Sequence, residues 1–332
     1  MGLPDHWPIF SEHHAFEEAQ TALIDASLSD GLPLVPPTLT RVNAMLPRAI
    51  KPDQNLGHMP PLFGELTPMA IAYNCVLAGC QPGALPIVLT AAEACLDEQF
   101  NLLGLATTTG SPAVATVVHG PICDKLSINA GINCLGPGAQ ANATIGRAIS
   151  LVLSNIGGMR SGTGDMATLG QPGKYGICFG ESQASPYEAV HGRRGIEADR
   201  SAVTILGVSG TIEVLPSQEN GNWDTPEAIL EPVARIMHAA WCAGGAARKP
   251  DQGDQVLLLP PELAELLSVR NWQLSTIQSY IYEASARISE APIASSPEDI
   301  LIIVTGGPGT KMCVLPLWGG GSRVVTRELI QC

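Results

Sequence analysis

A short, continuous run of apolar residues at 112–118 predicts a buried strand near the middle of the chain. A Gly-Pro-Gly sequence at 136–138 then interrupts the chain, and the following segment, 139–154, places apolar side chains at helical spacing. A glycine-rich loop that leads into a helix presents free backbone N–H groups, which favour an anion together with the helix dipole. The pattern therefore predicts either an anion-binding loop or only a tight turn against the strand.

Two apolar segments upstream predict a helical hairpin. Thr67 and Pro68 supply a capping hydroxyl and a first-turn proline, so a helix is expected to begin there and to end before Gly79. A second helix is expected over 83–96, with its proline tolerated in the first turn. Cys80 would then lie in the turn between the two helices.

The remaining chain alternates strand-like apolar runs with amphipathic segments. Strands are predicted at 177–179, 202–208, 255–259 and 300–304, and helices at 15–28, 224–241, 261–267 and 272–288. Such alternation is typical of βαβ units, so we expect an α/β fold with two lobes, mixed or parallel sheets flanked by helices, and long Gly/Pro-rich loops. We place a Pro-rich wrapping segment at 1–60, a main α/β lobe with Gly-rich loops at 61–216 and a C-terminal α/β lobe at 224–332.

Three Gly/Pro-rich loops each follow or adjoin a predicted strand, at 119–138, 162–175 and 306–311. Because ligands of open α/β sheets bind at the carboxyl ends of strands, we expect these loops to line one cleft where the lobes meet near residue 220. The loop at 306–311 is neither Gly-x-Gly-x-x-Gly nor a Walker sequence, so a standard dinucleotide or nucleoside triphosphate site is rejected.

Composition narrows the function classes. A chain of 332 residues with 45% hydrophobic and 15% charged residues is globular, and its net charge of −13 argues against nucleic acids and anionic membranes as partners. There is no signal-peptide pattern and no apolar run of membrane-spanning length. The nine cysteines are irregularly spaced without a Cys-x-x-Cys pair, so we expect a cytoplasmic protein with free thiols, most of them buried. We also expect a homo-oligomer.

Groups that can transfer protons or act as nucleophiles lie near the glycine-rich loops. The candidate catalytic residues are Cys80, His119, Cys123, Cys178, Glu181 and His191. Because Cys80 lies in a turn, we expect its thiol to react faster than those of Cys75 and Cys95, which lie in helices. The alternative is that these groups are half-buried structural thiols and solvated loop charges.

A second group of residues is suited to binding a small anion. The candidate substrate-binding residues are Gly136, Gly138, Asn142, Arg147, Lys174, Tyr175, Gly307 and Gly309. The Arg147 guanidinium is planar and matches a carboxylate or phosphate, although it would have to reach back along its helix. A metal or Fe–S site formed by Cys80, Cys123, Cys134 or Cys178 with His119 is a third interpretation. Since the spacing is not that of a ligand set, we predict no metal and no cofactor.

Several longer motifs are shared with a known family. They are Ala78-Gly-Cys80, Gly120-Pro121, Leu135-Gly-Pro-Gly138, Ala141-Asn-Ala-Thr-Ile-Gly-Arg-Ala148, Gly164-Asp-Met-Ala-Thr168, Gln171-Pro-Gly-Lys-Tyr175, Ser185-Pro186, His191, Gly306-Gly-Pro-Gly309 and Val325-Thr-Arg327. From about residue 31 onward the chain resembles a bacterial family associated with small thiol or selenol proteins that carry a Sec/Cys-Gly-Ser-Cys motif. The resemblance implies cysteines at the positions of Cys80 and Cys178 and acids at Glu181 and Glu188. The family pattern lacks Cys134 and His119, which would mark a branch with its own chemistry.

Two function classes follow. The first is an enzyme of the lyase or hydratase type that acts on a small anionic metabolite by acid–base or cysteine chemistry. The second is a subunit of a thiol-dependent, reductase-like complex that binds substrate for a small Cys/Sec partner protein. The sequence specifies neither the substrate nor the reaction.

Overall fold

The computed structural model describes residues 3–217, 223–243, 253–289 and 292–330. The helices in these ranges are α1 (Phe16–Asp25), α2 (Leu39–Met45), α3 (Pro68–Ala78), α4 (Leu85–Ala94), α5 (Leu102–Thr107), α6 (Ile122–Lys125), α7 (Gln140–Asn155), α8 (Val190–Arg193), α9 (Pro226–Ala243), α10 (Pro261–Val269) and α11 (Leu274–Ser289). The strands are β1 (Gly57–Met59), β2 (Gly64–Leu66), β3 (Ala113–His119), β4 (Ile177–Gly180), β5 (Ala202–Val208), β6 (Ile212–Val214), β7 (Gln255–Leu259), β8 (Ile300–Val304), β9 (Met312–Leu315) and β10 (Val325–Glu328). The expected α/β fold is confirmed.

The helical hairpin forms where the sequence predicts it. The Thr67 hydroxyl accepts a hydrogen bond from the backbone N–H of Ala70, and Pro68 occupies the first turn of α3. Gly79 ends this helix with φ 83°, a left-handed conformation that glycine adopts without strain. All of α3 is buried, so the hairpin belongs to the core and not to the surface.

Two four-stranded sheets share the same pattern of strand directions. The first has the order β10-β5-β3-β4, in which β3 and β4 are parallel and β5 and β10 alternate in direction. The second has the order β6-β9-β7-β8, in which β7 and β8 are parallel and β9 and β6 alternate. In each sheet the parallel pair is connected through helices, α7 in the first and α10 with α11 in the second.

The two sheets exchange their last strands. β6 follows β5 in the chain but pairs with β9 of the second sheet, whereas β10 follows β9 but pairs with β5 of the first sheet. The boundary that the sequence predicts near residue 220 falls at 218–222, outside the described residues, and the division into lobes stays a prediction. β6 and β10 would both cross any boundary between two lobes, because each pairs with the sheet formed by the other part of the chain.

The sheets pack face to face between two layers of helices. Side chains such as Val117, Phe179 and Leu206 of the first sheet contact Leu258 and Ile303 of the second. The opposite face of the first sheet packs on α3, α4 and α7, and that of the second on α9, α10 and α11. The result is a helix–sheet–sheet–helix sandwich, in which both faces of the central strands are buried. No helix of the described residues is long and apolar enough to cross a membrane.

Two glycines allow α7 to approach the start of β4. A Cβ atom added to Gly176, which has φ 139°, would lie 2.3 Å from the carbonyl carbon of Gly146 and 2.4 Å from the backbone nitrogen of Arg147. Backbone atoms on both sides leave no flexible group that can move away. The contact therefore requires glycine at position 176 for two reasons, the space and the backbone conformation.

We predict that Gly176→Ala lowers the free energy of unfolding by about 2–4 kcal/mol, because it combines overpacking with a positive φ. Gly210→Ala is the matched control, since a Cβ there meets no atom within 4 Å and its φ is not positive. Chemical denaturation of both variants measures the difference. Equal stability of the two variants would show that α7 and β4 do not approach as closely as described.

Candidate functional site

A polar group interrupts the apolar interface between the sheets at one end. His119 is the last residue of β3, Glu181 follows β4 directly, and Thr204 lies in β5. By strand alternation these side chains share the face that carries Val117, Phe179 and Leu206, which is the face toward the second sheet. Ends of adjacent parallel strands meet at one edge, so His119 and Glu181 come together there although 62 residues separate them in sequence.

His119 is fully buried and both of its ring nitrogens are paired. Nδ1 lies 2.6 Å from Glu181 Oε2, and Nε2 lies 2.7 Å from the hydroxyl oxygen of Thr204. Thr204 is in turn 2.8 Å from the hydroxyl of Thr326 in β10, so a polar chain crosses three strands. The Glu181 carboxylate also accepts the backbone N–H of Val190 at the start of α8. These contacts hold the imidazole and the carboxylate in one orientation.

His191 in α8 stacks on this pair. Its ring centroid lies 5.8 Å from that of His119, and only 4% of the residue is exposed. Neither ring nitrogen makes a hydrogen bond of good geometry with a described residue, although the backbone of Ala198 lies close enough to raise the pKa of the ring. Burial lowers the pKa of the His191 ring and the neighbouring His119 lowers it further, whereas Glu181 raises it. A buried, unpaired imidazole is unusual, because unsatisfied polar groups destabilise a fold.

The cluster opens to a cleft of about 290 Å³. Its lining residues are Gly120, Pro121, Asp124, Glu181, Ser182, Gln183, Ser185, Tyr187, Ala189, His191 and Ala198. Among the residues that the structure describes, this lining contains two carboxylates and no lysine or arginine. One nitrogen or oxygen atom from each of His119, Glu181 and His191 lies within 4.8 Å of the other two, a spacing at which a divalent cation could bind. The 2.6 Å contact between His119 and Glu181 is also short enough for a proton to pass between them.

Two of the three glycine-rich loops meet, and the third does not. Gly306 donates its backbone N–H to the carbonyl of Ala130, and the loops at 119–138 and 306–311 line a second cleft of about 370 Å³ that includes Cys134, Thr305 and Lys311. The loop at 162–175 instead bonds to Thr109 and Ser111 at the opposite end of β3. That strand is seven residues long, so the loop lies roughly 20 Å away. The expectation of one cleft lined by all three loops is wrong for this loop.

The Asn142 side chain is occupied within the fold. Its amide donates to the carbonyls of Asn129 and Cys134, and its oxygen accepts the backbone N–H of Asn129. The residue is buried at the start of α7 and ties down the preceding loop. Asn142 therefore has a structural role and not the predicted role as a substrate ligand, because both polar atoms of its side chain are already hydrogen-bonded.

Arg147 is likewise already paired. Nε and Nη2 donate to the two carboxylate oxygens of Asp30 at 2.7 and 2.8 Å, and Nη2 also contacts the carbonyl of Leu32. The planar geometry expected for an anion ligand is present, but it binds the N-terminal segment of the same chain. The predicted substrate contact is therefore replaced by a structural one.

The remaining predicted ligands are scattered. Lys174 bonds to Asp165 at 2.5 Å within its own loop, and Tyr175 is 54% exposed on the surface. The four candidate glycines lie in different surroundings. Gly136 lines the second cleft, Gly138 precedes α7 with φ 125°, Gly307 packs on Ile132, and Gly309 donates its backbone N–H to Glu262. Only Gly136 faces a cleft in common with another candidate loop.

The three candidate thiols are buried. Cys80 donates to the carbonyl of Thr144, and Cys123 to that of Val118. Burial, with the nearby charges of Asp124 and Glu181, raises the pKa of Cys123 to about 12, and burial beside other thiols raises the pKa of Cys178. α7 packs on the turn that holds Cys80, which is 8% exposed, against 0% for Cys75 and 1% for Cys95. The expected faster reaction of Cys80 stays a prediction. Thiols that stay protonated near neutral pH are poor nucleophiles.

The sequence predicts His119, Glu181 and His191 as catalytic candidates, but not the residues around them, such as Thr204 and Thr326, that complete the hydrogen-bond chain. Thr204 carried a detectable signal, since it places a hydroxyl on the buried face of an otherwise apolar strand. Thr326 carried none, because β10 is short and mostly polar. Asp124 and Thr305 carried none, because their contacts depend on how the two sheets meet.

No protein-family model, curated protein or solved structure matches this chain. The family resemblance drawn from its motifs stays a prediction.

We predict that brief alkylation of the native protein labels Cys242 before Cys75, Cys80 and Cys95. Cys242 is exposed on α9, whereas the other three thiols are buried. Mass spectrometry of peptides after short exposure to iodoacetamide measures the order, and the unfolded protein shows that all sites can react. Labelling of Cys80 at the rate of Cys242 would contradict the burial described here.

We predict that Arg147→Lys costs about 1–2 kcal/mol of stability near neutral pH, because the two-bond contact with Asp30 is lost. Arg235→Lys is the control, since that arginine makes only an exposed contact with Glu231 on its own helix. Chemical denaturation near pH 7 measures both costs. If Arg147→Lys loses no more unfolding free energy than Arg235→Lys does, the contact with Asp30 does not contribute to stability.

The same pair predicts a pH dependence. Burial alone would raise the pKa of Asp30, but hydrogen bonds from Arg147 and Leu32 outweigh burial and lower it. The stabilisation is therefore complete above the unfolded-state pKa of about 4 and is lost as pH falls through the lower folded-state pKa. Asp30→Asn should show a shallower loss of stability over this acidic range than the parent.

Proposed function

We propose that this chain is an enzyme of the lyase or hydratase type, with its reaction centre at His119, Glu181 and His191. The observation that supports this most strongly is His191, whose two buried ring nitrogens are unpaired beside a hydrogen-bonded imidazole–carboxylate pair. Groups of this kind, facing a cleft, are suited to accept a proton from a substrate and to return it.

The proposed reaction is an elimination or its reverse. A proton leaves a carbon atom of the substrate for the cluster, the C–H electron pair forms a double bond, and the leaving group departs with its own bonding pair. The leaving group takes up a proton, so the substrate loses one molecule of HX in total, which is water when the leaving group is hydroxide. Hydration runs the same steps backward. The cleft volume of about 290 Å³ limits the substrate to a small molecule.

Acid–base chemistry is favoured over cysteine chemistry at this centre. Cys123 is a candidate thiol that interacts electrostatically with Glu181, and burial raises its pKa to about 12, so its thiolate is scarce near neutral pH. The proposed anionic substrate still requires a positive partner, because the lining of this cleft contains Asp124 and Glu181 but no lysine or arginine. Lys311 lines only the neighbouring glycine-loop cleft.

A thiol-dependent complex is the alternative proposal. It rests on the family resemblance and not on the geometry, since Cys80, Cys123 and Cys178 are all buried. Stable co-purification with a small protein carrying a Cys/Sec-Gly-Ser-Cys motif would favour it.

We predict that the protein catalyses exchange of carbon-bound hydrogen for deuterium in a small hydroxy acid or its unsaturated counterpart. Proton NMR in D2O with a panel of such acids measures this exchange without knowledge of the product. His191→Asn should slow the exchange by about 100-fold or more, which is typical of the loss of a proton-transfer group.

His13→Asn is the matched control, because His13 is exposed near the N-terminus and far from the cluster in sequence. It should exchange at the parent rate. Exchange that is unaffected by His191→Asn, or absent with every acid of the panel, would overturn the proposed reaction class.

A further inference from the structure

We infer that His119, Glu181 and His191 form a binding site for a divalent transition-metal ion of the zinc type. One atom from each side chain lies within 4.8 Å of the others, and all three residues are at least nine-tenths buried. Two imidazoles and one carboxylate, with a fourth position open to a cleft, are a donor set suited to Zn²⁺ or Co²⁺. Metal binding needs no catalysis, so this inference stands apart from the proposed reaction.

The unpaired ring of His191 points to a missing ligand. Its two nitrogens have no partner among the described residues, yet the ring is held within stacking distance of His119. A cation between the two imidazoles and the carboxylate would give one of these nitrogens a bond. An apolar ring would fill the same space if packing were the only requirement.

The surrounding hydrogen bonds match those of a metal site. With a metal on Nδ1 of His119, its Nε2–H donates to the hydroxyl oxygen of Thr204 at 2.7 Å, and Thr204 donates to Thr326. The backbone N–H of Val190 contacts both oxygens of Glu181. Such outer contacts fix the tautomer and the orientation of the ligands.

The described side chains that line the cleft favour a cation, since Asp124 and Glu181 are among them and lysine and arginine are not. Outside this lining, the partly buried guanidinium of Arg193 in α8 interacts with Glu181 and offsets part of that negative charge. A metal on Nδ1 displaces the proton that lies between His119 Nδ1 and Glu181 Oε2. In a neutral ring this proton moves to Nε2, and in an imidazolium it leaves to solvent. A bound dication would then supply the positive partner that an anionic substrate requires.

The test uses the full chain, treated with a chelator and then titrated with Co²⁺ alone. We expect about one equivalent to bind, with a visible spectrum typical of nitrogen and oxygen ligands and without a thiolate charge-transfer band. His191→Asn should weaken Co²⁺ binding at least 100-fold, and Thr204→Val should weaken it about 10- to 100-fold through the outer contact. Circular dichroism confirms that both variants are folded.

Cys242→Ser is the matched control, because Cys242 and His238 lie one turn apart on α9 and form a competing surface site. This variant should bind Co²⁺ like the parent. Loss of binding in Cys242→Ser, unchanged binding in folded His191→Asn, or no binding by the parent would overturn the inference. Since no substrate is present, the result is independent of the deuterium-exchange assay, and either proposal can fail alone.

Discussion

The packing of one sheet on the other is the constraint on which the rest of the structure depends. Because β6 and β10 are exchanged, each sheet contains a strand supplied by the opposite part of the chain. The first sheet is completed only when β10, near the end of the chain, pairs with β5. The central strands are consequently buried on both faces, and every residue of β3 and β7 is buried. A side chain at the end of such a strand is held by two sheets and not by a surface loop.

This arrangement places two equivalent strand ends against each other. Glu181 follows β4 and donates its N–H to Val118, and Thr305 follows β8 and donates its N–H to Leu259. The strand ends touch, since the N–H of Ser182 bonds to Val304 and the Thr305 hydroxyl bonds to Gly180. The two clefts lie at these matching positions. One contains the carboxylate of Glu181 and the imidazole of His191, and the other contains Cys134 with Lys311, so equivalent strand ends carry different side chains.

Much of the local structure, and little of the long-range structure, could be predicted from the sequence. Strands 202–208, 255–259 and 300–304 are confirmed, because continuous apolar runs and their flanking breaks are local signals. β6, β9 and β10 were not predicted, since they are short and become strands only through partners far along the chain. Asn142 and Arg147 illustrate the same limit at the site. Their polar atoms suggested a ligand, but the partners that occupy them, Asn129 and Asp30, are chosen by the fold.

The buried ring of His191 lacks the hydrogen bonds that the neighbouring ring of His119 makes. Leaving a buried polar group unsatisfied costs about 1–3 kcal/mol, a large part of the net stability of a typical domain. The structure satisfies His119 fully, through Glu181 and Thr204, yet leaves the adjacent ring without a partner. Packing alone does not require a polar ring here. The adjacent residue, Val190, is also buried, and its apolar side chain leaves no polar group unsatisfied. An unpaired imidazole in this position destabilises the fold unless something else reaches it, which is why the proposed reaction and the proposed metal site both centre on His191.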